Sequence, residues 1–188
     1  AWFGCTAWVA IYPKGLPTGE PRRPLAAAVG LVILLPFWLA ASAIQNLDGT
    51  GGWWLLIMLF LIWAADTGGY FFGRAFGKTK LAPHVSPGKT WEGVAGAMVG
   101  ATIIVAAAWL WAPLPAIREH TLLFLVIALV TVGLSIVGDL TESMFKRHSG
   151  IKDSSQLIPG HGGLFDRIDS LTAAAPVYAF GLSYLLGA

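Results

Sequence analysis

The stretch Ser143–Asp169, SMFKRHSGIKDSSQLIPGHGGLFDRID, concentrates the polar chemistry of this chain. Lys146, Arg147, Lys152 and Arg167 are cations of the kind that hold phosphates. Asp153, Asp166 and Asp169 can hold a metal ion or a proton. His161 precedes Gly162 and Gly163, where backbone can approach a ligand closely, so it either donates to a phosphate or caps a turn. The stretch lies between two long apolar runs. Such a loop predicts chemistry on an anionic substrate at a membrane surface.

Two more acids stand at the ends of apolar runs, Asp66 in IWAADTGGYFFGR and Asp139 in SIVGDLTESM. Asp166 and Asp169, three apart, share a face near a helix start, where the dipole alone favours an anion. Asp139 lies near a helix end, where the dipole opposes an anion, so a cation is expected beside it. The expectation is that Asp139, Asp166 and Asp169 converge on Mg²⁺. Asp66 would be a further ligand or a carboxylate just behind the ligands. Glu142 is either a carboxylate behind the ligands or a solvated one, the solvated reading being preferred.

A second basic loop reads GRAFGKTKLAPHVSPGKTWEG. A P-loop is excluded, because the required glycines are replaced by Pro83 and Phe72. Ser86, Lys89 and Thr90, with local backbone N–H groups, can still cradle phosphates. Arg74, Lys78 and Lys80 fit that role or contact with anionic lipid headgroups equally well.

These residues need elements to position them, and composition says which. Of 188 residues, 56% are hydrophobic and 12% charged, against about 25% charged in a soluble domain. A membrane-spanning helix takes about 20 apolar residues. Runs near 25–45, 53–73, 93–112, 120–140 and 168–187 qualify, and Ala1–Tyr12 looks like the tail of another. The expected fold is all-α: a polytopic integral membrane protein with five full transmembrane helices plus a partial N-terminal one. Residues 1–188 are read as a single membrane-embedded domain with long loops at 74–92 and 141–167. The chain opens without Met inside an apolar stretch, so N-terminal spans of a longer protein are expected to precede it. Cys5 is alone, which excludes an internal disulfide or a multi-cysteine metal site.

Alternating loops sort the 12 Lys and Arg residues so that only Arg118 falls on the second side. The positive-inside rule then puts the basic loops in the cytoplasm. Trp53, Trp54, Trp109 and Trp111 border the other face, as an interfacial aromatic belt would. The spacing Gly96-x-x-x-Gly100 allows close helix approach, within the chain or across a dimer.

The pattern Ser143-x-Phe145-Lys146-Arg147, Lys152-Asp153, Ile158-Pro159-x-His161-Gly162-Gly163-x-x-Asp166-Arg167-x-Asp169 resembles the signature of the phosphatidate cytidylyltransferases, or CDP-diacylglycerol synthases. Ala65-Asp66-Thr67-Gly68-Gly69-Tyr70-Phe71 and Ser86-Pro87-x-Lys89-Thr90-x-Glu92-Gly93 are similar to that family as well. The resemblance implies transfer of a cytidylyl group from CTP to phosphatidate, giving CDP-diacylglycerol and pyrophosphate. It implies Mg²⁺, a second cation such as K⁺ in the acidic cluster, and a homodimer in a bacterial inner membrane. Nucleic acid is not an expected partner. Asp139, Asp166, Asp169, Lys146 and Arg147 are the expected catalytic residues. Ser86, Lys89, Thr90, Lys152, His161, Gly162, Gly163 and Arg167 are the expected phosphate-binding ones. A transporter would place its acids near the midplane on broken helices rather than at one boundary. A CDP-alcohol phosphotransferase would carry Asp-Gly-x-x-Ala-Arg, which this chain lacks.

Overall fold

The computed structural model describes Val9, Tyr12, residues 23–151, Ser154, Ser155, Gly163 and residues 165–187. Its helices are α1 (Arg23–Gln45), α2 (Gly51–Phe76), α3 (Trp91–Trp111), α4 (Pro115–Glu119), α5 (Thr121–His148) and α6 (Asp169–Leu186). A hairpin of β1 (Lys80–Ala82) and β2 (Ser86–Thr90) joins α2 to α3, and a 3₁₀ turn, Phe165–Arg167, precedes α6. The protein is mostly helical, and the hairpin departs from the all-α expectation. Pro87 and Gly88 disfavour helix, and an antiparallel pair, Lys80 with Thr90 and Ala82 with Ser86, satisfies the backbone instead.

Among the described residues, four helical segments are long and apolar enough to cross a membrane: Ala28–Gln45, α2, α3 and α5. The expected fifth run forms α6, an 18-residue helix that does not reach the same apolarity. Its first turns hold Asp169, Ser170 and Thr172, and Ser170, Thr172 and Ala173–Ala175 are buried by neighbouring helices. Those turns serve the protein interior rather than lipid. The partial first run falls mostly outside the described residues. Helix α5 also continues to His148, so Lys146 and Arg147 ride on its last turn and not on a loop. Large apolar side chains cover the outside of the bundle, among them Trp38, Trp63, Ile103 and Phe180. A lipid-facing surface has that character, and this is a membrane protein.

In lipid no hydrophobic drive holds helices together, so close packing of small residues must. Helices α2 and α3 meet through glycines from both. A Cβ at Gly96 would stand 2.5 Å from Gly68 O, and one at Gly100 would stand 2.5 Å from Ala64 O. The Gly96–Gly100 spacing therefore serves packing inside the chain. At the α5–α6 contact a Cβ on Gly138 would stand 2.8 Å from Ala173 Cβ and 2.9 Å from Asp169 O. Farther along the bundle, Phe124 stacks edge-on against Trp54 at 5.7 Å and against Tyr178 at 6.5 Å.

The start of α3 is fixed by two local bonds. Thr90 Oγ1 accepts the Gly93 N–H at 3.1 Å, an N-cap. Glu92 accepts the Thr79 N–H at 3.1 and 3.2 Å, tying the helix start to the hairpin base.

Gly96→Leu is expected to lower thermal stability in detergent by about 1–3 kcal/mol or more, because backbone lies where the side chain must go. Gly30→Ala, with open space around it, should leave the melt unchanged or raise it slightly. Equal melts for the two variants would contradict the packing argument.

Candidate active site at one end of the bundle

Helices α2, α5 and α6 and the hairpin bring acids and lysines together at one end of the bundle. Lys89, on β2, places Nζ 2.5 Å from Asp139 Oδ2 on α5. The cation expected beside Asp139 is thus present, supplied by the chain itself. Ser143, one turn on, donates to Asp139 Oδ1 at 3.3 Å. One turn further, Lys146 Nζ lies 2.7 Å from Glu142 Oε2 and 3.0 Å from Asp166 Oδ1. Lys146 therefore links α5 to the 3₁₀ turn that leads into α6.

Asp166 is held by backbone as well. Ser154 N–H donates to its two oxygens at 3.2 and 3.1 Å, and Gly163 N–H donates to Oδ2 at 2.7 Å. Burial works against its charge. The neighbouring Glu142 carboxyl, the Gly163 N–H, Lys146 and the Ser154 N–H outweigh that and hold its pKa below the ordinary carboxylate value. Asp169 takes the first position of α6, where its Oδ1 accepts the Ser170 N–H at 2.6 Å.

Glu142 is not solvated, as the sequence suggested; it is 6% exposed. The chain continues as helix past it, and α6 closes over it. Asp139, Glu142 and Asp169 each offer a carboxylate oxygen, all within 4.8 Å of one another. Both Glu142 oxygens are shut off from solvent with no hydrogen bond of good geometry, although Lys146 stands close. Three converging carboxylates, one of them the buried Glu142 without a well-formed hydrogen bond, fit a hard divalent cation. The structure thus places Asp139 and Asp169 in this trio beside Glu142, and holds Asp166 next to it through Lys146. The signal for Glu142 was present in sequence: Asp139, Glu142 and Lys146 recur at three and four residues on one helical face.

A cleft of about 740 Å³ opens beside Asp139, lined by Asp66, Tyr70, Arg74, Ser86, Gly88, Lys89 and Thr90 among others. Asp66 thus faces the same space as Asp139 but is not one of the trio. Ser86 and Lys89 share the wall of this cleft, whereas the acceptor of the buried Thr90 hydroxyl is used as the α3 cap. Arg147 is exposed on the last turn of α5. Gly163 is buried and gives its N–H to Asp166. Lys152, Asp153, His161, Gly162 and the Arg167 side chain lie outside the described residues.

The fold and site define a class: a membrane-embedded helical protein with paired acids and lysines where its helices emerge. The sequence pattern of the cytidylyltransferase family matches residues 2–185, and the chain belongs to that family. It is 43% identical over 193 residues to the phosphatidate cytidylyltransferase of Haemophilus influenzae, across 99% of this chain and 67% of that protein. Against the phosphatidate cytidylyltransferase of Pseudomonas aeruginosa it is 50% identical over 180 residues, 95% of this chain and 64% of that one. The Bacillus subtilis protein of the same name is 41% identical over 143 residues, 74% of this chain and 51% of that one. The chain thus spans about two thirds of the length of the first two relatives and about half of the third.

Lys146→Met strips both Glu142 and Asp166 of their cation and is expected to cost about 3–5 kcal/mol. Lys146→Met with Glu142→Leu should recover part of that stability, because no buried charge is then left unpaired at that position. A double variant no more stable than the single one would argue against the pairing. The lowered pKa of Asp166 fixes a sign: its contribution is complete above the unfolded value of about 3.9 and is lost as pH falls through the lower folded value. Exchange protection of the Ser154 and Gly163 amides, corrected for intrinsic rates, should therefore stay flat from neutral pH to about 4. Asp166→Asn should weaken it throughout that range.

Proposed function

We propose that this chain carries the cytidylyl-transfer site of a phosphatidate cytidylyltransferase, joining CTP to phosphatidate and releasing pyrophosphate. The observation that carries the reading is the Asp139–Glu142–Asp169 trio and its lysines, in a chain that is up to 50% identical to proteins of that name.

A phosphatidate phosphate oxygen attacks the α-phosphorus of CTP, and the bond from that phosphorus to the bridging β-phosphate oxygen breaks. The nucleophile comes with the lipid, so the protein has only to position two anions and offset their charge. Asp139, Glu142 and Asp169 would hold Mg²⁺, with Asp66 and Asp166 as neighbouring carboxylates. A second cation such as K⁺ would share the cluster. The metal, when bound, supplies charge neutralisation and orientation of the phosphates. Lys89 and Lys146 hold these acids in place and stand ready to exchange a carboxylate for a phosphate oxygen. Arg147, Lys152, Arg167, His161, Ser86, Thr90 and the Gly162–Gly163 backbone complete the phosphate-binding set.

Our reading places this end of the bundle in the cytoplasm of a bacterial inner membrane, where CTP is available, and lets the lipid enter from the leaflet. It includes α6 as a fifth span, sheltered by its neighbours, and a homodimer as the assembled form.

Purified full-length protein, labelled CTP, phosphatidate and Mg²⁺ should give label extractable into organic solvent. Asp139→Asn should reduce turnover by about 10²-fold or more, as expected when a charge-stabilising group is lost. Glu142→Gln should shift the Mg²⁺ dependence to higher concentration by roughly tenfold. Chelation should abolish turnover, and Mg²⁺ should restore it. Unlabelled lipid from the wild-type protein would sink the reading.

A further inference from the structure

The cleft beside Asp139 has a cation whose two sequence readings, phosphate or lipid headgroup, the proposed phosphate-binding set leaves undecided. Arg74 lies in the last turn of α2, and its guanidinium side chain lines the cleft with Ser86 and Lys89. Tyr70, one turn earlier, holds it: Arg74 Nη1 donates to Tyr70 Oη at 2.8 Å, and the guanidinium carbon stands 6.0 Å from the ring centroid. Among the described residues, no carboxylate lies within ion-pairing distance of Arg74, whereas Lys89 is already paired with Asp139.

Charge decides what Arg74 can do there. The acids on the cleft wall are Asp66 and Asp139 and the bases are Arg74 and Lys89, so the wall has no net positive charge. Lys89 is occupied by the acid it neutralises. The remaining donor is a planar fork with a geometry matched to phosphate oxygens and an orientation fixed by the tyrosine.

We propose that Arg74 is a phosphate-binding residue of this cleft and that Tyr70 is its positioning residue. The ligand chemistry is a phosphate monoester or polyphosphate, carried by the lipid headgroup or by the nucleotide. The inference deepens the cytidylyl-transfer reading and rests on it for the identity of the substrates. The anion site itself can be tested without turnover.

The test uses the full-length protein in lipid–detergent micelles, with Arg74→Gln, Arg74→Lys and Tyr70→Phe. Both positions are exposed side chains in the free protein, so the fold should survive, and melting in detergent checks that. Arg74→Gln should raise KM for one substrate about tenfold, as loss of a charge-assisted hydrogen bond does, with a smaller change in kcat. Arg74→Lys should recover part of the loss, and Tyr70→Phe should raise the same KM by about threefold. A rise confined to CTP assigns the nucleotide phosphates, and one confined to phosphatidate assigns the lipid headgroup. Binding of Mg²⁺-pyrophosphate, read by calorimetry, should weaken in parallel if the site is for the nucleotide. A helix-end or headgroup-anchoring role would lower the melting temperature and leave both KM values alone. Both KM values and pyrophosphate affinity changing less than about threefold in Arg74→Gln overturns the proposal. Pyrophosphate binding that depends on Arg74, in a wild-type protein that makes no liponucleotide, would keep the anion site and remove the cytidylyl-transfer reading.

Discussion

The contact between Lys89 and Asp139 is the one on which the site depends. Asp139 lies nine residues before the end of a 28-residue helix, not at its last turn as hydropathy suggested. The helix dipole is weak there, and the apolar surroundings are what oppose an anion. Lys89 meets it at 2.5 Å from a different element. The next residue, Thr90, caps α3, so the same pair fixes where α3 begins relative to α5. With side chains 27% and 30% exposed, the pair is screened by water and adds modest energy. Its value lies in register. It holds the hairpin, the start of α3 and the acidic end of α5 at one level, and the cleft opens among them.

That register requires helices α2 and α3 to approach at backbone distance. Gly68, Gly69 and Gly73 face Gly93, Gly96 or Thr90, and a side chain at Gly68, Gly93 or Gly96 would run into the backbone of the facing helix. The glycines after Asp66 therefore have a mechanical reason that is independent of any ligand. They carry Asp66 to the wall of the cleft that Lys89 and Asp139 also line. Gly138 does the same between α5 and α6, drawing Asp169 toward Glu142. In a solvent with no hydrophobic drive between helices, small residues decide which acids meet.

Long apolar runs made α2, α3 and the start of α5 legible in the sequence to within a few residues, because a span must satisfy its own backbone hydrogen bonds in helix. The hairpin was not legible, since three- and five-residue strands leave no periodic signal. The environment of Glu142 was also missed. Loop boundaries drawn from hydropathy cut α5 short of the turn that carries Lys146, so an acid on a buried face was read as a wet one. Asp139 called for a cation as an acid in an apolar run rather than through a helix end, since α5 continues to His148, and nothing local named Lys89, 50 residues away, as that cation. Pairings across such a separation are fixed by packing, which a single sequence does not display.

Charge balance sets what the site must recruit. Asp66, Asp139, Glu142, Asp166 and Asp169 stand against Lys89, Lys146 and Arg74 of the cleft wall, and both ammonium groups are spent on carboxylates of this same set. A cluster with that surplus repels a polyphosphate unless positive charge arrives with it. The buried Glu142 carboxylate, whose neighbouring cation Lys146 is shared with Asp166, therefore suits an anionic substrate brought in with a divalent cation. The same balance accounts for the location. At the helix ends, water and mobile ions moderate the surplus while the site waits, whereas at the midplane it would be paid in full desolvation.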